Sequence, residues 1–444
     1  MCRVHVVQQN RHHLPLLLGM GCGPSKVAPD SSSVTFSPTS SRCHFKKRYQ
    51  VNYLIGRGVS SCVAHATDKA NKRTVALKRI NLTTESEFVS LEELAELSVN
   101  ELRTFKRIGS RPFVVSLHAA FHSHSSCYLA MDYLGGGDLR RYLKSQGCLD
   151  EECVTYVIGC IGSALHHIHS QGVVHRDLKP ENIAFDLTGR PYLTDFGISV
   201  VSSEDNPIPI CRSSSGTLEY MAPETLTPTH FHSHQSDFWS LGVVAYEMLF
   251  QHRPFQKHCP IPMVQFCFDE YSAMWADLVL VPLPQGSPFL DLETCFMKSS
   301  ADKHHGRAVD LDSLLVPLPS SNGPVSNELS LMLNGLLDVR IHERLGNVNK
   351  YCHFSDHCLF HKHQFVLSQL HRMSSPLSPS VQHHTPCSAS IFGALEFDDE
   401  LNLPFSDQIR ENLSEFNFLR SKEAEGPAGD YCTPTSRIRT ESIP

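Results

Sequence analysis

The sequence predicts an α+β chain with two lobes, a small β-rich one first and a larger, mainly helical one after it. Two observations carry this. From Tyr49, short β-branched and apolar runs alternate with polar turns. From Leu139 onward, apolar residues recur at helical spacing over long stretches. Composition agrees with a packed chain: 41% of the 444 residues are hydrophobic, which excludes a wholly disordered or fibrous protein.

Residues 1–48 are rich in Ser, Pro and His, show no sustained period, and are expected to be a disordered extension. VNYLIGRGVSSCVAHAT and KRTVALKRI read as strands joined by a turn around Asp68 to Lys72. Residues 88–108 switch to helical spacing, with Leu91, Leu94, Val99, Leu102, Phe105 and Ile108 as the apolar set. PFVVSLHAAF and SCYLAMDYL read as two more strands. Helices follow at RRYLKSQ, ECVTYVIGCIGSALHHIHSQ, SDFWSLGVVAYEMLF and NELSLMLNGLLDV. The first lobe is therefore 49–131, a link 132–134, and the second lobe 135–372. Residues 256–325 fit no regular element and read as an insertion. They contain LVPLP twice, too few copies for a solenoid. Residues 373–444 read as a flexible tail, with FGALEFDDELNLPF as a docking segment.

The net charge of −7 gives no global basic field, so nucleic acid is not an expected partner. No apolar run is long enough for a transmembrane helix, and the short stretch Leu14 to Leu18, broken by Pro15, is a poor signal peptide. The sixteen Cys are scattered without a C-x-x-C pair, which reads as reduced thiols in a cytoplasmic protein.

The chemistry sits in a few short stretches. GRGVSSCV places Gly56 and Gly58 between two strands, where glycine lets backbone N–H groups approach phosphate oxygens. Lys78 in VALK lies inside an apolar strand, and an ammonium there needs an anionic partner, for which Glu101 on the following helix is the candidate. In HRDLKPEN, Asp177 can take the proton of an attacking hydroxyl and Lys179 can neutralise a transferring phosphoryl group. Asn182, and Asp195 in DFG, offer hard oxygen donors suited to Mg²⁺. GTLEYMAPE, Asp237 in SDFWSLG and Arg344 in IHERLG follow in order.

These motifs, in this order and in these strand or helix contexts, resemble the eukaryotic protein kinase family over about residues 49–255 and 326–350. The resemblance implies a two-lobed kinase fold whose hinge is Met131 to Leu134, and a reaction that uses ATP and Mg²⁺. It implies that Gly56 and Gly58 cover the phosphates, that Lys78 holds them while pairing with Glu101, and that Asp177 is the catalytic base assisted by Lys179. Asn182 and Asp195 are the implied metal ligands. Val63, Ala76, Met131, Asp132, Leu134 and Asp138 are the implied surroundings of the nucleotide. Glu224 and Arg344 look like the family's buried ion pair. Lys179 two residues after Asp177, and GTLEY before APE, look like Ser/Thr rather than Tyr kinases. PFVVSLHAAF, GGGDLRRYL and GTLEYMAPE resemble the AGC group, although the tail lacks a clear Phe-x-x-Phe-Ser/Thr-Tyr motif. The glycine loop, with Ser60 and Ser61 in place of an aromatic tip and third Gly, is similar to phosphorylase-kinase-type enzymes.

Asp138 and Glu181 sit where basophilic kinases place acids that receive a substrate Arg; the alternative is that they are ribose and loop-satisfying carboxylates. Protein substrates, an upstream activating kinase and a monomeric state are expected. Ser213 and, second, Ser214 are candidate activation-loop phosphosites, with Arg176 as the clamp. The competing class is a pseudokinase or scaffold, against which Lys78, Glu101, Asp177, Asn182 and Asp195 are all present.

Three weaker signals remain. Cys352, His353, His357, Cys358, His361 and His363 match no regular zinc-finger spacing, so a surface helix-loop is the favoured reading over a zinc site. MGCGPS from Met20 fits an acylation pattern with Gly21 and Cys22 as acceptors, but it is internal; peripheral membrane association is expected only of a form starting at Met20. RTESIP and the Ser-Pro pairs at Ser37, Ser375 and Ser378 are solvated tail or phosphorylation sites.

Overall fold

The computed structural model describes residues 48–58, 60–82, 90–123, 126–202, 211–212, 215–227, 231–255, 325–346, 351–379, 407–416 and 418–419. The N-terminal extension with Gly21 and Cys22, the candidate phosphosites Ser213 and Ser214, the insertion 256–324 and FGALEFDDELNLPF lie outside them.

The first lobe is a six-stranded antiparallel sheet in the order β1-β2-β3-β5-β4-β13. Its strands are β1 (Tyr49–Arg57), β2 (Ser61–Asp68), β3 (Arg73–Asn81), β4 (Leu117–His122), β5 (Ser126–Asp132) and β13 (Phe418–Leu419). Helix α1 (Leu91–Ile108) packs on it, and of its predicted apolar set all but Leu91 are buried. Its start is fixed by a capping box that the spacing argument did not use: Glu93 N donates to Ser90 Oγ and Ser90 N to the Glu93 carboxylate. Acids in its first turn and Lys106 and Arg107 in its last complement the helix dipole.

One predicted strand is corrected. PFVVSLHAAF becomes extended only from Leu117. Phe113 adopts φ 64°, and Val115 N donates to Leu193 O of the second lobe, so residues 113–115 are a buried link between lobes and not sheet. Their apolar run fits either setting, which is why the sequence does not separate them.

The second lobe is built on α3 (Glu151–Ser170) and α4 (His234–Phe250), packed together with α2 (Leu139–Gln146), α5 (Asn327–Leu336), α6 (Tyr351–Ser355) and α7 (Cys358–Lys362) around them. From Ser236 onward α4 is buried on every side. Short strands carry the loops between the helices: β6 (Gly137–Asp138), β7 (Val173–Val174), β8 (Ile183–Phe185), β9 (Pro191–Leu193), β10 (Val200–Val201), β11 (Cys211–Arg212) and β12 (Phe231–His232). One apolar core runs through both lobes, from Leu102 and Phe105 through Phe196 to Phe238 and Met332.

The tail expected to be flexible is not uniformly so. Leu377 is buried, and Ser375 donates to Gly189 O. Farther on, α8 (Asp407–Ser414) packs on α1 and β13 extends the first sheet through β4. Ile409, Leu413 and Phe416 are buried there. No described helix is long and apolar enough to cross a membrane.

Candidate active site

Strand register builds one wall of the site. In antiparallel pairs, directly opposed residues share a face, and so do residues two apart. Gly56 opposes Val63, Val63 opposes Lys78, and Ala76 opposes Met131. Gly56, Val63, Lys78, Ala76 and Met131 therefore line one face of the sheet. Neither Gly56 nor Gly58 has a positive φ, and a Cβ at Gly56 would meet no atom within 4 Å. The chain's own backbone does not demand glycine at 56; what it leaves is open approach to the sheet face carrying Lys78.

Lys78 is the centre of charge. Its Nζ donates to Glu101 Oε1 at 2.7 Å and Oε2 at 2.9 Å, and to Asp195 Oδ1 at 3.0 Å. One ammonium thus ties sheet, α1 and the DFG segment together. Burial opposes its charge, but Asp195 and Glu101 outweigh that and raise its pKa. The Lys78 charge holds the Asp195 carboxyl down at about 2. Burial pushes Glu101 up. Behind them, Phe196 packs edge-on against Phe105 and His175, with centroids 5.2 Å apart in each case.

The catalytic loop is held from below by Asp237. Its carboxylate accepts from the backbone N–H of His175 and of Arg176, each at 2.9 Å, and hydrogen-bonds His169 Nε2 at 2.8 Å. Arg176 and Asp195 both sit at positive φ, 74° and 61°, a strained backbone that surrounding packing must impose. Asp177 Oδ2 accepts from Lys179 Nζ at 2.6 Å, and Oδ1 from Thr217 Oγ1 at 2.7 Å. Lys179 also reaches Thr217 at 2.8 Å. Asn182 Nδ2 donates to Asp177 O at 2.8 Å and to Asp177 Oδ2 at 3.1 Å, so the lone pairs of its amide oxygen are what it can offer a cation. Gly216, at φ 126°, lets the activation segment pass Arg176 O, which a Cβ would meet at 2.8 Å.

Of the predicted residues, Lys78, Glu101 and Asp195 form one cluster and Asp177, Lys179 and Asn182 a second. Glu224 and Arg344 form the expected buried pair, with Arg344 Nη1 2.6 Å from Oε1 and Nη2 3.0 Å from Oε2. Asp132 takes no outward role through its side chain, which accepts from Ser116 N and pairs with His118 Nε2 at 2.7 Å. Asp138 caps α2 by accepting from Arg141 N. Glu181 pairs with Arg140. Both carboxylates thus have partners within the chain, Asp138 a backbone N–H and Glu181 a guanidinium. Sequence reasoning missed Thr217, for which Gly-Thr ahead of LEY was the available signal, and His169, for which there was none. Among the described residues no three or more His, Cys, Asp or Glu side chains converge as a metal-holding group, those of 352–363 included. Cys62, Cys127, Cys153, Cys160, Cys352 and Cys358 are free thiols.

Curated relatives point the same way. The chain is 46% identical over 149 residues to a putative ribosomal protein S6 kinase alpha-1 of Caenorhabditis elegans, covering 33% of this chain and 18% of that protein. It is 44% identical over 149 residues to human ribosomal protein S6 kinase alpha-1, 33% of this chain and 20% of the relative. Against the serine/threonine-protein kinase SCH9 of Saccharomyces cerevisiae it is 33% identical over 223 residues, 50% of this chain and 26% of the relative. The matched part thus spans about a fifth to a quarter of these relatives' lengths. The protein kinase domain family matches residues 49–359, from β1 to α7 and well over half of the chain, and this chain belongs to that family.

Proposed function

We propose that this chain is a Ser/Thr protein kinase that moves the γ-phosphoryl group of ATP to hydroxyls of protein substrates. The observation that carries the reading is Asp177, bonded at once to Lys179 and Thr217, whose partner Lys179 also acts by its charge on Asp195 of the Lys78–Glu101–Asp195 cluster. Asp177 receives the hydroxyl proton as the substrate oxygen bonds to phosphorus; the bond from phosphorus to the bridging oxygen breaks, and ADP leaves with that electron pair. Lys179 neutralises charge on the group in flight, and Lys78 orients the phosphates it leaves. The donor set fits Mg²⁺: the Asp195 carboxylate and the Asn182 amide oxygen are hard ligands. Bound there, the ion would offset negative charge on the transferring group. Everything else is positioning by the chain itself.

Purified protein with γ-labelled ATP, Mg²⁺ and a randomised Ser/Thr/Tyr peptide array tests this. Label on Ser or Thr that is lost on chelation is the expected result. Label on Tyr alone, or none while the protein is folded, would reject it.

A further inference from the structure

Arg140 lies in the first turn of α2, where the positive end of the helix dipole disfavours a cation. Something else holds it there. Its Nε donates to Glu181 Oε1 at 2.9 Å, its Nη1 to Glu247 Oε1 at 2.6 Å, and its Nη2 to Tyr220 Oη and, at 3.3 Å, to Glu247 Oε2. Tyr220 in turn donates to Glu247 Oε2 at 2.7 Å. Every nitrogen of the guanidinium is engaged. The receptor grades from surface to interior: the Glu181 side chain is 45% exposed, Arg140 21% and Glu247 8%.

This receptor adjoins the chemistry. Glu181 is the residue before Asn182 and four after Asp177, and Tyr220 is three after Thr217, which bonds Asp177. Asp177, Thr217 and Tyr220 line one cavity, so the receptor borders the space in which a hydroxyl would meet Asp177. A carboxylate as buried as Glu247 is costly to leave without a cation, and either the peptide or the chain can supply one. Neighbouring acids are likewise matched: Asp138 caps α2, and Glu219 faces Arg253 at 4.0 Å, whose guanidinium lies 5.8 Å over the Tyr220 ring.

We infer that Arg140 is a resident substitute for a substrate cation: it fills the acidic receptor beside the catalytic loop, so the enzyme does not select a basic residue there. The inference rests on the phosphoryl-transfer reading, and binding and turnover are therefore measured separately. Labelled Ser peptides, an Arg-free parent and variants with one Arg at each position before the Ser, are titrated by fluorescence anisotropy and assayed for transfer with the full chain. Wild type should treat them alike within about twofold. Arg140→Ala should bind and turn over one Arg peptide at least about tenfold better than the parent, the least that one charge-assisted hydrogen bond is worth. Adding Glu247→Gln should erase that gain. Arg140→Gln, which keeps an amide donor over Glu247, serves in its place if the Ala variant does not fold. A wild type that already prefers an Arg peptide tenfold, or a folded Arg140 variant that gains nothing, overturns the inference. Absence of transfer by wild type would count against the proposed reaction alone, because anisotropy still reads the receptor.

Discussion

Lys78 holds two carboxylates that differ in their dependence on it. Glu101 is buried, whereas the Asp195 side chain is half exposed. Lys78→Met should therefore remove transfer, by at least about a hundredfold, and also lower the melting temperature, because it strands a buried carboxylate. Asp195→Asn should cost as much activity without that thermal penalty. Paired turnover and calorimetric measurements check both; near wild-type turnover in either variant would contradict the assigned roles. His234 gives a second prediction at this scale. Its ring lies tilted against His169, with centroids 4.5 Å apart, and its Nε2 is buried without a hydrogen-bond partner. Burial, then the neighbouring His169, depress its pKa to about 3. The unfolded chain takes up that proton near pH 6.5 and the folded chain does not, so stability falls as pH drops from about 6.5 toward about 3. His234→Gln should flatten this slope by up to one proton's worth in denaturant titrations across that range; an unchanged slope would show that His234 is not the group responsible. The candidate site residues were legible as residue types at fixed spacing. His169 was not, because a histidine on a buried helix face looks the same whether it packs or orients Asp237.

The periodic elements were legible as well. α1, α3 and α4 appear where helical spacing placed them, since each buries a broad apolar face and tolerates little else. The tail was not, because its docking depends on a partner surface far away in sequence. Glu415 pairs with Arg103 at 2.6 Å and with Lys106 at 3.4 Å, and Phe416 is fully buried. None of this shows as periodicity in an eight-residue helix. The contact falls on the helix that carries Glu101, so it bears on the Lys78–Glu101 pair. Phe416→Ala should cost about 3–5 kcal/mol of local stability. Faster amide exchange in α8, β13 and the C-terminal half of α1, with lower turnover, is the expected outcome. Exchange confined to α8, with turnover unchanged, would show that the tail is only a passenger on α1.

At the scale of the whole molecule, the lobes were legible as a change of pattern, and the Glu224–Arg344 pair shows how the second lobe closes across the insertion. Arg344 lies beyond residues 256–325 and Glu224 before them, yet their side chains are buried against each other, and Arg344 Nε also donates to Asp338 O. Both ends of the insertion are anchored in the same core. Before it, Phe255 stacks on Trp239, with centroids 6.0 Å apart. After it, Ser326 Oγ donates to Glu151 Oε1 at 2.8 Å and Leu329 and Met332 are buried. The described packing is thus anchored on either side, and a stretch that entered only through loop closure would change stability by only about 0.6 kcal/mol for each doubling of its length. Deleting residues 285–312 should leave peptide phosphorylation within about twofold of the full chain and the melting temperature nearly unchanged. The Glu224–Arg344 pair supplies the control. Arg344→Met strands Glu224 and should destabilise the lobe by about 3–5 kcal/mol. If the deletion instead lowers the melting temperature as far as Arg344→Met does, residues 285–312 belong to the lobe, and the core seen at either end is only part of what holds it.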